Sequence, residues 1–177
     1  MNRVLLMQWS QNLSMHSNLN LRHQVDLIVF DFDGVLTDNS VFVFQDGREA
    51  VRCNRADGLA FDMFRAAEIP TFIMSTETNS VVAARAQKIK VPVVQAVTDK
   101  ATEIKNLANK YKFVLDRIMF VGNDINDLPA LRVVGWPVAV ADSHELVKET
   151  SRITLATKGG YGVAREIAEN LFELRLT

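Results

Sequence analysis

The stretch Val25-Asp26-Leu27-Ile28-Val29-Phe30-Asp31-Phe32-Asp33-Gly34-Val35-Leu36-Thr37-Asp38 decides how this chain folds. Its apolar, β-branched start has the pattern of a strand buried on both faces, and it ends abruptly in two carboxylates and a glycine. In an open parallel sheet the carboxyl ends of the strands are where ligands bind. Asp31 and Asp33 concentrate negative charge at that end, and such crowding needs a cation or a shared proton for relief. A strand followed by Asp-x-Asp-Gly therefore points to a divalent metal and a carboxylate available as a nucleophile. The plainer reading is an acidic turn, since Asp and Gly are ordinary turn residues. A calcium loop fits less well, because its pattern places Gly sixth and Glu twelfth. Counted from Asp31, Gly34 is fourth.

Outward from this strand, Ser40 to Arg52 reads as a hairpin turning at Asp46-Gly47. A helix is expected from Ala56 to Glu68, with Leu59, Met63, Phe64 and Ala67 at helical spacing and Pro70 as its stop. Thr71 to Met74 reads as a second buried strand, ending at Ser75-Thr76-Glu77. The pattern continues with a helix at Ser80–Lys88, a strand at Val91–Val94 and a helix at Lys100–Tyr111 capped by Asp99. A strand at Ile118–Val121 runs into Gly122-Asn123-Asp124-Ile125-Asn126-Asp127. Then come a strand at Val138–Val140, a helix at Ser143–Glu149 and a strand at Ile153–Leu155. Gly159-Gly160-Tyr161-Gly162 leads into a last helix, Val163 to about Leu174. This alternation predicts one α/β, Rossmann-like domain over residues 25–177, a parallel sheet with helices on both faces. The hairpin at 40–52 is the only insertion. Residues 1–24 show little periodicity and read as a poorly ordered arm or an added helix.

The composition narrows the function classes. A net charge of −1 offers no basic surplus for nucleic acid, and no apolar run is long enough to span a bilayer. Val4 to Met7 is too short for the core of a secretory signal. Cys53 is the single cysteine, so no disulfide framework exists and the cytoplasm is the expected compartment. His16, His23 and His144 lack metal-ligand spacing.

Three of the buried strands end in polar groups suited to chemistry: Asp31 and Asp33, then Ser75, then Asn123, Asp124 and Asp127. Lys100 opens a helix between the second and third groups. Helix N-termini and cations both favour bound phosphate, so the set makes a metal-plus-phosphate site. Taken singly, each group has a plainer reading: Ser75 as a strand end, Lys100 as a solvated residue, Asp127 as a helix cap, Glu77 as surface. The weight lies in their ordered conjunction.

That order resembles the haloacid dehalogenase superfamily of phosphohydrolases, from about Asp26 to Phe172. The family's motifs appear as Asp31-Phe32-Asp33-Gly34, Ser75, Lys100 and Gly122-Asn123-Asp124-Ile125-Asn126-Asp127. The resemblance implies that Asp31 attacks phosphorus to give an aspartyl-phosphate. Asp33 would protonate the leaving alcohol and later activate water. Ser75 and Lys100 would bind phosphoryl oxygens. Mg²⁺ would be held by Asp31, Asp33 and Asn123, with Asp124 and Asp127 in support.

Within the superfamily the chain is similar to small members without a cap domain. These are the 3-deoxy-D-manno-octulosonate 8-phosphate phosphatases, the nonulosonate 9-phosphate phosphatases and the C-terminal domain of acylneuraminate cytidylyltransferases. The hairpin, Arg55-Ala56-Asp57-Gly58 and Gly159-Gly160-Tyr161-Gly162-Val163-Ala164-Arg165-Glu166 carry this match. It implies a homotetramer in which a neighbouring subunit covers the site, with Gly34, Thr76, Glu77, Arg55, Gly160 and Arg165 near the substrate. Two positions depart from the pattern. Asn123 stands where the family has a metal-binding Asp, and Ser75-Thr76-Glu77-Thr78 where the octulosonate phosphatases resemble Thr-Gly-Arg. The second leans towards the nonulosonate or cytidylyltransferase-associated branch. The expected activity is Mg²⁺-dependent hydrolysis of a phosphorylated keto-deoxy sugar acid, either octulosonate 8-phosphate or a nonulosonate or acylneuraminate 9-phosphate. The alternative is a weakly active or non-catalytic oligomerisation module associated with a sugar-acid cytidylyltransferase. A phosphomutase is disfavoured by the lack of a segment long enough for a mobile cap.

Overall fold

Leu27–Asp31 (β1) is a strand with every residue buried, because both of its faces are covered by helices. The structure is a computed structural model describing residues 20–175. β1 lies at the centre of a six-stranded sheet with Thr71–Met74 (β4), Val93–Val94 (β5), Ile118–Gly122 (β6), Trp136–Ala139 (β7) and Ile153–Thr154 (β8). The order is β5-β4-β1-β6-β7-β8 and every neighbouring pair is parallel. Phe30 pairs with Ile73 on one side and Val121 on the other.

Side chains along β1 alternate between two cores. Ile28 and Phe30 join the core formed with Arg55–Ala66 (α1), Ser80–Ile89 (α2) and the C-terminal segment. Leu27 and Val29 join the other, formed with Lys100–Tyr111 (α3), the single turn Leu128–Leu131 (α4) and Glu145–Thr150 (α5). Phe30 meets Phe61 edge-on at 5.2 Å, and Phe64 meets Phe172 in the same way at 5.8 Å. The doubly wound fold expected from the alternation is therefore present. From β1 the chain builds outward to β4 and β5, then crosses to the opposite side for β6. That reversal opens a crevice at the carboxyl ends of β1 and β6, the usual ligand position in such sheets.

Thr37–Val43 (β2) and Glu49–Cys53 (β3) pair antiparallel in a separate two-stranded sheet. The turn at Asp46-Gly47 is closed by Phe44 and Arg48, each accepting or donating a backbone bond across it. The hairpin starts three residues before the expected Ser40, since Thr37 already pairs with Cys53. The end of β2 and the residue after it leave Val41, Phe42, Val43 and Phe44 exposed, an apolar run shared between the two faces of the hairpin.

Several expectations are corrected. Leu59 is exposed, and α1 instead buries Ala60, Phe61, Met63 and Phe64. β7 begins at Trp136, two residues before the expected Val138; Pro137 sits near the strand start, where the missing N–H costs least. The last helix is one α-turn, Val163–Glu166 (α6), followed by a π-helical turn over Ile167–Leu171. The wider turn buries Ile167, Ala168, Leu171 and Phe172 together, and the Leu171 carbonyl accepts the Leu21 N–H. Residues 1–19 of the expected N-terminal arm lie outside the described residues. Leu21 is fully buried, while Asn20, Arg22, His23 and Gln24 around it are exposed. No helix among the described residues is long and apolar enough to cross a membrane.

Asp57, from the Arg-Ala-Asp-Gly motif, ties α1 to the C-terminal segment. Its Oδ1 accepts the Ala164 N–H at 2.9 Å, while Oδ2 is buried without a hydrogen-bond partner among the described residues. Burial pushes this carboxyl up to about 6, against the pull of the Ala164 and Arg165 N–H groups and Arg85. A folded pKa above the unfolded one favours folding below about pH 4, and that contribution is lost as the pH rises through 6. Asp57→Asn should therefore gain up to about 2–3 kcal/mol on the wild type at pH 7.5, at roughly 1.4 kcal/mol per pKa unit. The gain should vanish near pH 4. Urea unfolding at both pH values checks this, and an equal difference at the two would contradict it.

Candidate active site

Four elements deliver the site. Asp31 ends β1 and is 4 % exposed; Asp33 follows in the loop and is partly exposed. Ser75 follows β4, buried, because its N–H continues the sheet by donating to the Val94 carbonyl. Lys100 is the first residue of α3, whose N-cap Asp99 accepts from the Ala101 and Thr102 N–H groups as expected. Asn123 follows β6.

Lys100 is 2 % exposed, not solvated. Its ammonium donates to Asp31 Oδ1 at 2.8 Å and to Asp127 Oδ1 at 2.6 Å. Asp127 Oδ2 accepts the N–H groups of Asn123 at 2.8 Å and Asp124 at 3.3 Å. Both oxygens of Asp127 are thus engaged, one on the lysine and one on the backbone after β6. Asp124 spends an oxygen on the Ile125 N–H, in a reciprocal cap with Asp127.

Two buried carboxylates share one ammonium, and the electrostatics follow from that count. Burial and the Asp127 carboxylate push Asp31 up to about 7, with Lys100 opposing them. Burial draws the Lys100 ammonium down, but Asp31 and Asp127 outweigh it and keep the lysine charged. Asp33 is also pushed up, by burial and then by Glu77, with Glu49 adding to the effect against the pull of Lys100. An acid that is to hold a proton for a leaving group benefits from that direction.

Ser75 Oγ accepts the Glu77 N–H at 3.0 Å, which leaves the hydroxyl proton free to donate elsewhere. Thr76 and Glu77 are exposed. Glu77 lines a cavity of about 230 Å³ together with Asp33, Asn39, Ser40, Glu49 and Asn79. Glu49 and Asn79 were not singled out from the sequence. They come from the hairpin and the N-cap of α2, and they meet at 2.6 Å. The Asn-Ser pair opening α2 was a legible capping signal, but nothing in the pattern paired it with Glu49.

Gly34 sits with φ +81°, and a side chain there would strike the Asn123 amide at 2.0 Å. The glycine-rich tail packs on the same loop: Gly160 donates to the Val35 carbonyl at 2.9 Å, and a Cβ on Gly159 would lie 2.0 Å from the Gly34 carbonyl. Arg52 extends that contact, stacking on Tyr161 and pairing with Asp38 at 2.7 Å. Arg55 instead faces a separate hollow with Gly58, Asp62 and Arg85, and Arg165 pairs with Glu169 at 2.6 Å. No hydrogen bond or ion pair joins either arginine to the Asp31 cluster among the described residues.

The donors around Asp31 suit a hard divalent cation. One terminal atom of the Asn123 amide lies 2.9 Å from the Asp33 carbonyl oxygen and 3.3 Å from Asp31 Oδ2. Octahedral Mg²⁺ with bonds of about 2.0–2.1 Å sets neighbouring oxygens about 3 Å apart. The set comprises one carboxylate, one carbonyl and one amide. No group of three His, Cys, Asp or Glu side chains forms a metal cage among the described residues.

The Asp31–Lys100–Asp127 cluster lies at the switch point of a doubly wound α/β sheet, where such folds place their active sites. The haloacid dehalogenase-like hydrolase family matches residues 65–167, and this chain belongs to that family as one of its phosphatases. It is 27 % identical over 148 residues to the 3-deoxy-D-manno-octulosonate 8-phosphate phosphatase of Escherichia coli, covering 83 % of this chain and 79 % of that one. A Streptomyces avermitilis protein described as a HAD family hydrolase shares the fold at a TM-score of 0.83 and 42 % identity, covering 86 % and 88 %. The octulosonate 8-phosphate phosphatase of Yersinia pestis superposes at 0.82 with 25 % identity, covering 86 % and 83 %.

Proposed function

We propose that this protein is a Mg²⁺-dependent phosphomonoesterase for a phosphorylated keto-deoxy sugar acid, working through an aspartyl-phosphate on Asp31. The buried Asp31–Lys100–Asp127 cluster opening beside Asp33 is the observation that carries this reading. Lys100 holds Asp31 Oδ1 and supplies positive charge next to a carboxylate that burial otherwise drives towards neutrality. Asp127 positions that lysine.

Asp31 attacks phosphorus while the P–O ester bond breaks, and Asp33 gives its proton to the departing alkoxide. Asp33 then takes a proton from water, and the hydroxide attacks phosphorus. The acyl-phosphate P–O bond breaks, releasing inorganic phosphate and regenerating Asp31. Ser75 donates to a phosphoryl oxygen through its free hydroxyl proton, and Lys100 lies beside the transferring group. Asp31, the Asp33 carbonyl and Asn123 are the residues to hold Mg²⁺, which would neutralise phosphoryl charge. Glu77, Thr76 and Gly34 border the substrate, and the glycine tail with Gly160 walls the loop.

The names of the relatives support octulosonate 8-phosphate within this substrate class, while Ser75-Thr76-Glu77-Thr78 keeps the 9-phosphates of nonulosonates and acylneuraminates beside it. A cytoplasmic enzyme fits a single free cysteine and a sugar-phosphate substrate. The test is phosphate release with Mg²⁺ from a panel of sugar-acid phosphates and plain hexose phosphates. Preference for one sugar-acid phosphate supports the reading, and preference for hexose phosphates overturns the substrate class. Asn123 favours the second reading, an oligomerisation module with little turnover, which predicts no release from any of them by a folded oligomer.

The exposed run Val41–Phe44 supports assembly of hairpins into a homotetramer; in that assembly Arg55 and Arg165 would serve a neighbouring subunit's site. Phe42→Asp combined with Phe44→Asp should lower the mass in light scattering to that of a smaller species, without changing the helical signal. An unchanged mass contradicts assembly through the hairpin.

A further inference from the structure

The Asn123 side chain has almost no freedom of position. It is 8 % exposed, and the backbone that carries it is fixed at both ends: the Asn123 main-chain N–H donates to Asp127 Oδ2 at 2.8 Å, and the Asn123 main-chain carbonyl accepts the His144 N–H at 2.8 Å. Gly34 presses on the amide so closely that only glycine leaves it room. What the side chain retains is a half-turn about its last bond, which exchanges nitrogen and oxygen in nearly the same two places.

The terminal atom facing inward lies 2.9 Å from one acceptor, the Asp33 carbonyl, and 3.3 Å from another, Asp31 Oδ2. An oxygen there is repelled by both unless a cation sits among the three. A nitrogen there donates a hydrogen bond to each, and with the amide so turned the neighbours on both of its ends are satisfied. An aspartate at 123 lacks this second option, because an ionised carboxylate only accepts.

We infer that Asn123 is a reversible stand-in for the cation: its NH₂ bridges Asp31 and Asp33 in the metal-free enzyme, and metal entry turns its oxygen inward. This rests on Asp31 and Asp33 facing the cation, as in the proposed function. The metal-free protein is then free of the repulsion a third carboxylate would bring. Mg²⁺ binds in competition with two internal hydrogen bonds and with one negative charge fewer. Asn123 thus sets a high threshold of Mg²⁺ for occupancy, and the enzyme responds to the free concentration of the ion instead of carrying it permanently.

The test needs no substrate, so a wrong assignment of substrate or an inactive enzyme leaves it intact. Melting curves and calorimetric titration of the full chain with MgCl₂ compare wild type and Asn123→Asp. Without metal the variant should melt below wild type. With Mg²⁺ it should gain more than wild type and bind at least about tenfold more tightly, about 1.4 kcal/mol. Side-chain amide signals from ¹⁵N-asparagine-labelled wild type supply the second arm, which survives failure of the variant to fold. The Asn123 NH₂ should be protected from exchange without metal and should shift and lose protection as Mg²⁺ is added. Equal Mg²⁺ affinity of the two proteins, equal melting of both without metal, or an amide signal indifferent to saturating Mg²⁺ would each overturn the proposal.

Discussion

Asp31→Asn should lower phosphate release by about four orders of magnitude or more, the loss expected when a covalent nucleophile is removed. The fold should survive, and the reason lies in the same cluster. Asp31 is a buried carboxylate facing Asp127 with one ammonium between them, and burial drives it up to about 7. Its ionisation therefore opposes folding at neutral pH, and the amide removes that opposition while Lys100 keeps Asp127 as partner. Melting temperature at pH 7.5 should be unchanged or higher in the variant. Residual turnover within tenfold of wild type would exclude Asp31 as the nucleophile.

Lys100→Ala should damage both activity and stability. Deleting the ammonium leaves two carboxylates buried against each other, and breaking a buried pair by removing one partner costs about 3–5 kcal/mol. The pKa direction agrees. Lys100 is held above its usual value, so its contribution is fully present at all pH values below about 10 and is lost only above. Turnover should fall about a thousandfold or more, since positioned charge next to transferring phosphate is lost together with Asp31 ionisation. Lowering the pH to 5 should return part of the stability by protonating Asp31. Urea unfolding at pH 5 and pH 7.5 measures this. A loss below 1 kcal/mol at pH 7.5 would contradict the role given to the cluster.

The sequence was most legible where one local rule acted alone. β1 was readable because an unbroken apolar run means burial on both faces, and the turn at Asp46-Gly47 because few dipeptides fit that geometry. Asp99 was readable as a cap and Lys100 as the start of its helix. Legibility failed where distant chain decided. The π-turn at Ile167–Leu171 answers to the Leu21 N–H and the aromatic core, neither visible in a window around residue 167. Leu59 faces outward although helical spacing would equally bury it, because Phe61 and Phe64 win the contact with Phe30.

The site shows the same division. Asp31, Asp33, Ser75 and Lys100 stand at strand and helix ends, where order along the chain carries the information. The double grip of Asp127, on Lys100 and on the backbone after β6, depends on a 27-residue separation closing in space, and the spacing offered a helix cap or a supporting metal ligand but no partner in Lys100. Glu49 and Asn79 reach the cavity from the hairpin and a helix cap, and no pairing signal linked them. Arg55 and Arg165, expected near substrate, are separated from the Asp31 cluster within one chain.

The most direct test of the account is to trap the phosphoryl group on the enzyme. Wild-type protein turning over a ³²P-labelled sugar-acid phosphate would be quenched in acid, digested and mapped for the labelled peptide. An acyl-phosphate is expected on the peptide containing Asp31, labile to base and absent from Asp31→Asn. Label on another residue, or rapid phosphate release with no labelled peptide at any quench time, would contradict it.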